Sequence, residues 1–122
     1  MDDDMHSEIK TYAKHWKRHL NAMEKTRQVL FKKALDDAAK IANYLRERYG
    51  CEEIYLIGSI LEKERFSEKS DIDLVVRGLP KERYFHILAE IRDITDFSTD
   101  IIPYEDANEL IIETVKKEGK RL

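Results

Sequence analysis

The chain has 122 residues, of which 42% are hydrophobic and 39% charged, enough apolar side chain for one modest core. A net charge of −3 argues against a general nucleic-acid binder, and a single cysteine excludes an internal disulfide. No run approaches the length of a membrane span.

The charge is uneven, at +3 over residues 1–49 and −6 over residues 50–122. Asn and Gln are scarce beside the many charges, a composition of hyperthermophile type. The start, Met1-Asp2-Asp3-Asp4, is acidic with no apolar run behind it, which is not the pattern of a signal peptide. The expectation is a soluble, cytoplasmic protein.

No glycine or proline precedes Gly50. Apolar residues recur at Ile9, Tyr12, Trp16, Leu20 and Met23, and again at Leu30, Ala34, Ala38, Ile41, Leu45 and Tyr49. Steps of three and four are the helical period. Thr26 and Arg27 fall where the next apolar residue is due, so the spacing predicts a helix near 7–22 and another near 25–48, or one long bent helix, ending at Gly50. Cys51, before an apolar run, reads as a small packed thiol. Ile54–Ile57 predicts a first strand closed by Gly58-Ser59, with a helix beginning at Ile60. Asp71–Val76 predicts a second strand closed by Gly78 and Pro80. Residues 81–92 return to helical spacing, Phe97–Ile102 alternates as a third strand stopping at Pro103, and 105–118 predicts a last helix ended by Gly119. The fold class is therefore α/β (α+β): a small mixed sheet of three or more strands covered by helices. Residues 1–49 form a helical segment packed on a core of residues 50–122, in one domain overall.

Side chains alternate along a strand. Asp71, Asp73 and Val75 share one face of the second strand, and Ile72, Leu74 and Val76 the other, which reads as buried. Two like charges on one face are costly unless a cation lies between them, and a hard cation such as Mg²⁺ takes oxygen ligands. On the third strand Asp96, Ser98, Asp100 and Ile102 share a face. If the two strands pair, Asp100 lies beside Asp71 and Asp73, and three carboxylates can hold one metal or bridge two in the clamp used for in-line attack at phosphorus. Asp100 is then placed to take a proton from an attacking hydroxyl. Asp96, nearer the strand's start, competes as the third carboxylate. Gly58 lets backbone approach a phosphate closely, and Ser59 can cap a helix or present its hydroxyl to an anion.

Gly58-Ser59, then Asp71-Ile72-Asp73 after eleven residues, with a third aspartate on a later strand, resembles the DNA polymerase β nucleotidyltransferase superfamily. The likeness is greatest to its minimal nucleotidyltransferases. Tyr55-Leu56-Ile57-Gly58-Ser59 resembles the family's first strand and turn, Ser70–Val76 its metal-binding strand, and Ser98–Ile102 its third-carboxylate strand, over about residues 28–122. The resemblance implies a polymerase-β-like fold, two Mg²⁺ ions (or Mn²⁺), and a nucleoside triphosphate donor, ATP or another. It also implies transfer of a nucleoside monophosphate, AMP first, with loss of pyrophosphate. The implied acceptor is a hydroxyl on a HEPN-domain toxin, which makes the chain antitoxin-like. One departure is the eleven-residue Ser-to-Asp spacing, where members paired with HEPN toxins often have ten. The other is the lack of an acceptor-binding domain, which implies that a partner supplies the acceptor.

Lys63, Arg65 and Lys69, between the Gly-Ser corner and the aspartates, are candidates to meet the triphosphate, Lys63 and Arg65 foremost; Arg77 is ambiguous. His15 and His19 read as part of an exposed polar stripe, and Tyr12 and Trp16 as core or a docking face. The alternative function is a catalytically weak module that neutralises a partner by docking through the N-terminal helices. A nucleic-acid-directed transferase using Lys10, Lys14, Lys17 and Arg18 is disfavoured by the overall acidity. A homo-oligomer stays open.

Overall fold

The computed structural model describes residues 2–122, with side chains from residue 8 onward. Met1 and the side chains of the acidic start lie outside the described residues. The N-terminal segment is one continuous helix, α1 (Asp2–Tyr49), which is the single-helix alternative of the two that the spacing left open. Thr26 does not break it: its hydroxyl donates back to the Ala22 carbonyl at 3.0 Å, a bond made within the helix.

After Gly50, at φ 66°, come β1 (Glu53–Ile57), β2 (Ile72–Arg77), α2 (Tyr84–Ile91), β3 (Thr99–Pro103), α3 (Glu109–Glu118) and β4 (Lys120–Arg121). The sheet is mixed, in the order β3-β2-β1-β4. β1 runs antiparallel to β2 and to β4, and β2 runs parallel to β3.

Several boundaries differ from the sequence reading. The helix expected from Ile60 is a single 3₁₀ turn, Ser59–Leu61. Residues 81–92 divide into a 3₁₀ turn, Lys81–Arg83, and α2. Pro103 does not stop the third strand but is its last residue, tolerated because β3 is an edge strand where a missing N–H leaves no ladder bond unmade. The last helix begins later than expected, at Glu109, where Asn108 Oδ1 accepts the Ile111 N–H at 2.9 Å as an N-cap. β4 is two residues long and has no periodicity of its own; pairing with Tyr55 and Leu56 creates it.

Each face of the sheet has its own apolar layer. Ile54, Leu56, Ile72, Leu74 and Val76 pack with Ala34, Ala38, Ile41, Ala42 and Leu45 of α1 and Ile87 and Ile91 of α2. The alanines, one per helical turn, let α1 lie close to the strands. On the opposite face Ile57 and Val75 pack with Val115 of α3, so Val75 is buried although it lies on the aspartates' side. Cys51 is buried and free, and burial pushes its thiol up. α1 packs on this body only over its C-terminal half; residues 8–26 are exposed throughout. Among the described residues no helix is long and apolar enough to cross a membrane.

Candidate active site

The parallel pairing of β2 with β3 sets Asp73 directly opposite Asp100. Asp71 immediately precedes β2, two residues from Asp73 and thus on its face. One carboxylate oxygen from each of Asp71, Asp73 and Asp100 lies within 4.8 Å of the others. Asp73 is half-buried and Asp100 exposed. Burial first, then the charges of Asp100 and Asp71 and a hydrogen bond shared with Asp100, push Asp73 up to about 6. A site that raises a carboxyl through two like neighbours is short of positive charge. Three convergent carboxylates are oxygen donors of the kind a small hard dication takes, with further positions left for phosphate and water. The donor set therefore fits Mg²⁺ or Mn²⁺.

β1 delivers Gly58 to the same place, because Ile57 pairs with Asp73 and Gly58 follows it. Its backbone, at φ 88° and ψ −160°, is in a region open essentially only to glycine. A Cβ there would meet Asp73 Oδ2 at 2.6 Å. The glycine is thus required twice, for its conformation and for its closeness to the carboxylate. Ser59 opens the 3₁₀ turn, and that turn has no side-chain cap. The expected capping role for its hydroxyl is not realised, which leaves the group for another partner.

The loop from Glu62 to Ser70 is anchored by buried Phe66, whose ring packs against Phe31 of α1 at 5.7 Å and Phe97 at 5.9 Å between centroids. Lys63 and Arg65 are exposed on it. Arg65 Nη1 pairs with Glu62 Oε2 at 3.4 Å, within the loop. Lys69, with Lys33, Asp71, Asp96 and Ser98, lines a cleft of about 310 Å³ beside Asp71. Asp96 is exposed on the turn before β3 and is not part of the carboxylate cluster. Arg77 is at the other end of β2, paired with Glu53 at 3.5 Å and over the Tyr104 ring at 4.2 Å. His15 and His19 are exposed and join no metal-binding cluster among the described residues.

The sequence reading missed the support behind Asp100. Buried Asp37 accepts a hydrogen bond from Thr95 Oγ1 at 2.7 Å, and the same Oγ1 accepts the Phe97 N–H at 3.1 Å. This pair fixes the turn that feeds β3. A lone aspartate on the apolar side of the α1 pattern was the available signal.

The protein family described as polymerase beta, nucleotidyltransferase, matches residues 39–122. No curated protein sequence matches the chain significantly. Among solved structures, one described as a toxin–antitoxin with AMP-PNP is 24% identical with a TM-score of 0.60, covering 69% of this chain and 70% of that one. The MntA–HepT toxin–antitoxin is 22% identical with a TM-score of 0.54, covering 70% and 68%. A tri-AMPylated HEPN toxin of Shewanella oneidensis in complex with an MNT antitoxin gives 22% and 0.54, covering 72% and 70%. At these identities the likeness is one of fold.

Proposed function

Since the chain belongs to the polymerase beta nucleotidyltransferase family, we propose that it transfers a nucleoside monophosphate, AMP by preference, from a nucleoside triphosphate to a hydroxyl on a partner protein. The partner proposed is a HEPN-domain toxin, and the modification would neutralise it. The observation that carries this reading is the convergence of three carboxylate oxygens within 4.8 Å beside a glycine whose backbone leaves no room for a side chain.

Asp71, Asp73 and Asp100 would hold Mg²⁺, two ions or one. When bound, the metal supplies positive charge to the triphosphate oxygens. The Gly58 backbone and the Ser59 hydroxyl hold the phosphates of the leaving group. Lys63 and Arg65 close over them from the loop, Arg65 exchanging Glu62 for a phosphate oxygen. Asp100, an exposed member of the cluster, takes the proton from the attacking hydroxyl. A bond forms between that oxygen and the α-phosphorus, the bond from the α-phosphorus to its bridging oxygen breaks, and pyrophosphate departs. The structures likened to this chain include an antitoxin–toxin complex with a non-hydrolysable ATP analogue and an AMPylated toxin, which supports both donor and partner.

The test is incubation with α-labelled ATP, Mg²⁺ and a co-encoded HEPN protein. Label should move to the partner with the wild-type chain and not with Asp71→Ala. Absence of transfer, or transfer undiminished in the variant, sinks the proposal.

A further inference from the structure

The exposed half of α1 is apolar in a pattern that helix solvation does not explain. Ile9 is 62% exposed, Tyr12 63%, Trp16 46%, Leu20 57% and Met23 52%. Ile9, Trp16 and Met23 recur every seven residues, with Tyr12 and His19 between them, the spacing of a coiled-coil seam. At 100° per residue, the sector within about 60° of Trp16 holds, over residues 8–26, Ile9, Tyr12, Ala13, His19, Leu20 and Met23, with no formal charge. Lys10, Lys14, Lys17 and Arg18 all point about 100° or more away from Trp16. The rings are also ordered along the seam, Tyr12 to Trp16 at 6.2 Å and Trp16 to His19 at 5.8 Å between centroids. At its inner end the seam runs into a groove of about 370 Å³ between Met23 and Leu30 on α1 and Ser67-Glu68 on the loop.

We propose that this seam is a dimer interface, covered by α1 of a second copy of the chain. The area argues for it. The five large side chains leave roughly 500–600 Å² open per copy, so two copies covering each other remove up to roughly 1,000–1,200 Å² from these residues, the scale at which a specific interface begins. The placement of charge argues for the same occupant. An acidic partner or an anionic lipid surface is met by cations beside the apolar stripe, whereas the charged residues nearest this one over residues 8–26 are Glu8 and Glu24, about 80° from Trp16. A second copy offers the same narrow, uncharged sector, and no like charges oppose across it. The interface shares no residue with the carboxylate cluster, so it stands whether or not the chain transfers nucleotides.

Sedimentation equilibrium of the full chain, from about 1 to 100 µM so that mass action can populate both species, tests the proposal. The wild type should dimerise. Trp16→Glu, at an exposed position that the fold does not need, should raise the dissociation constant at least about thirtyfold. Lys14→Glu, on the outer side, should leave it within about twofold. Circular dichroism verifies that both variants keep the wild-type helix content. A wild type that stays monomeric across the range overturns the proposal, as does a dimer indifferent to Trp16→Glu or equally weakened by Lys14→Glu. Vesicles of phosphatidylcholine with phosphatidylserine provide the second arm: a monomer that co-sediments with them places a lipid surface on the seam instead.

Discussion

One face of the sheet is built in two ways. Toward α3, Ile57 and Val75 pack under Val115 as a small apolar cluster. At the other end of the same face, two residues back along β2, Asp73 shares one cluster with Asp71 and Asp100. The covered end contributes stability in the ordinary way. The carboxylate end opposes it, because half-burying an acid beside two like charges raises the energy of its ionised form. The largest test of this contrast removes the charge and keeps the shape. Asp73→Asn should lower the rate of nucleotide transfer by about a thousandfold or more, the loss of several kcal/mol of charge stabilisation at phosphorus. The same variant should fold at least as stably as the wild type in urea titration. A destabilised Asp73→Asn would show that the residue belongs to the scaffold and break the contrast.

Its neighbour should behave in the opposite way. Leu74 points to the α1 side and is fully buried. Leu74→Ala should destabilise the fold by about 2–5 kcal/mol, read as a lower urea midpoint. Whatever fraction stays folded should bind Mg²⁺ and nucleotide normally. Adjacent residues of one strand would thus separate stability from activity.

Gly58→Ala sharpens the boundary between the two ends. The alanine must adopt a conformation that costs about 1–3 kcal/mol, and its Cβ must displace Asp73 Oδ2. A modest loss of stability with a larger loss of metal affinity, measured by titration calorimetry, is the expected outcome. Unchanged metal binding would mean that the carboxylates do not depend on the Gly58 corner.

These contrasts also explain what could be read from the chain. Asp71, Asp73 and Asp100 were legible because alternation fixes which side chains share a face, and the apolar set Ile72, Leu74, Val76 leaves one register for β2. The closeness of Gly58 to Asp73 was not, because it depends on the antiparallel pairing of β1 with β2. Nor was β4, which exists only as a partner for β1. The continuity of α1 was obscured because its pattern serves two purposes. From Leu30 inward it packs on the sheet, and from Ile9 to Met23 its large apolar side chains are exposed. Periodicity records that a face is apolar and not what covers it. Asp37 was passed over for a related reason: its partner Thr95 is 58 residues away.

The smallest expected effect reads the carboxylate end through protons. Asp73 titrates near 6 in the folded protein, above the roughly 3.9 of an aspartate in an unfolded chain. The folded state therefore holds this proton more tightly. Stability must fall as pH rises from about 4 to about 6 and level off above. Metal-free protein should accordingly melt at a higher temperature at pH 5 than at pH 7. Glu90 acts in the opposite sense, since hydrogen bonds from Tyr44 and Tyr49 lower it from its ordinary 4.5, and both it and its partner His86 are unchanged in Asp73→Asn. The difference between wild type and Asp73→Asn isolates the one group: the variant should lose the stabilisation on acidification. Mg²⁺ should then invert the trend, because a bound dication favours the ionised form and competes with the proton. If acidification and Mg²⁺ stabilise the protein additively rather than in competition, the carboxylate that titrates is not the one that holds the ion.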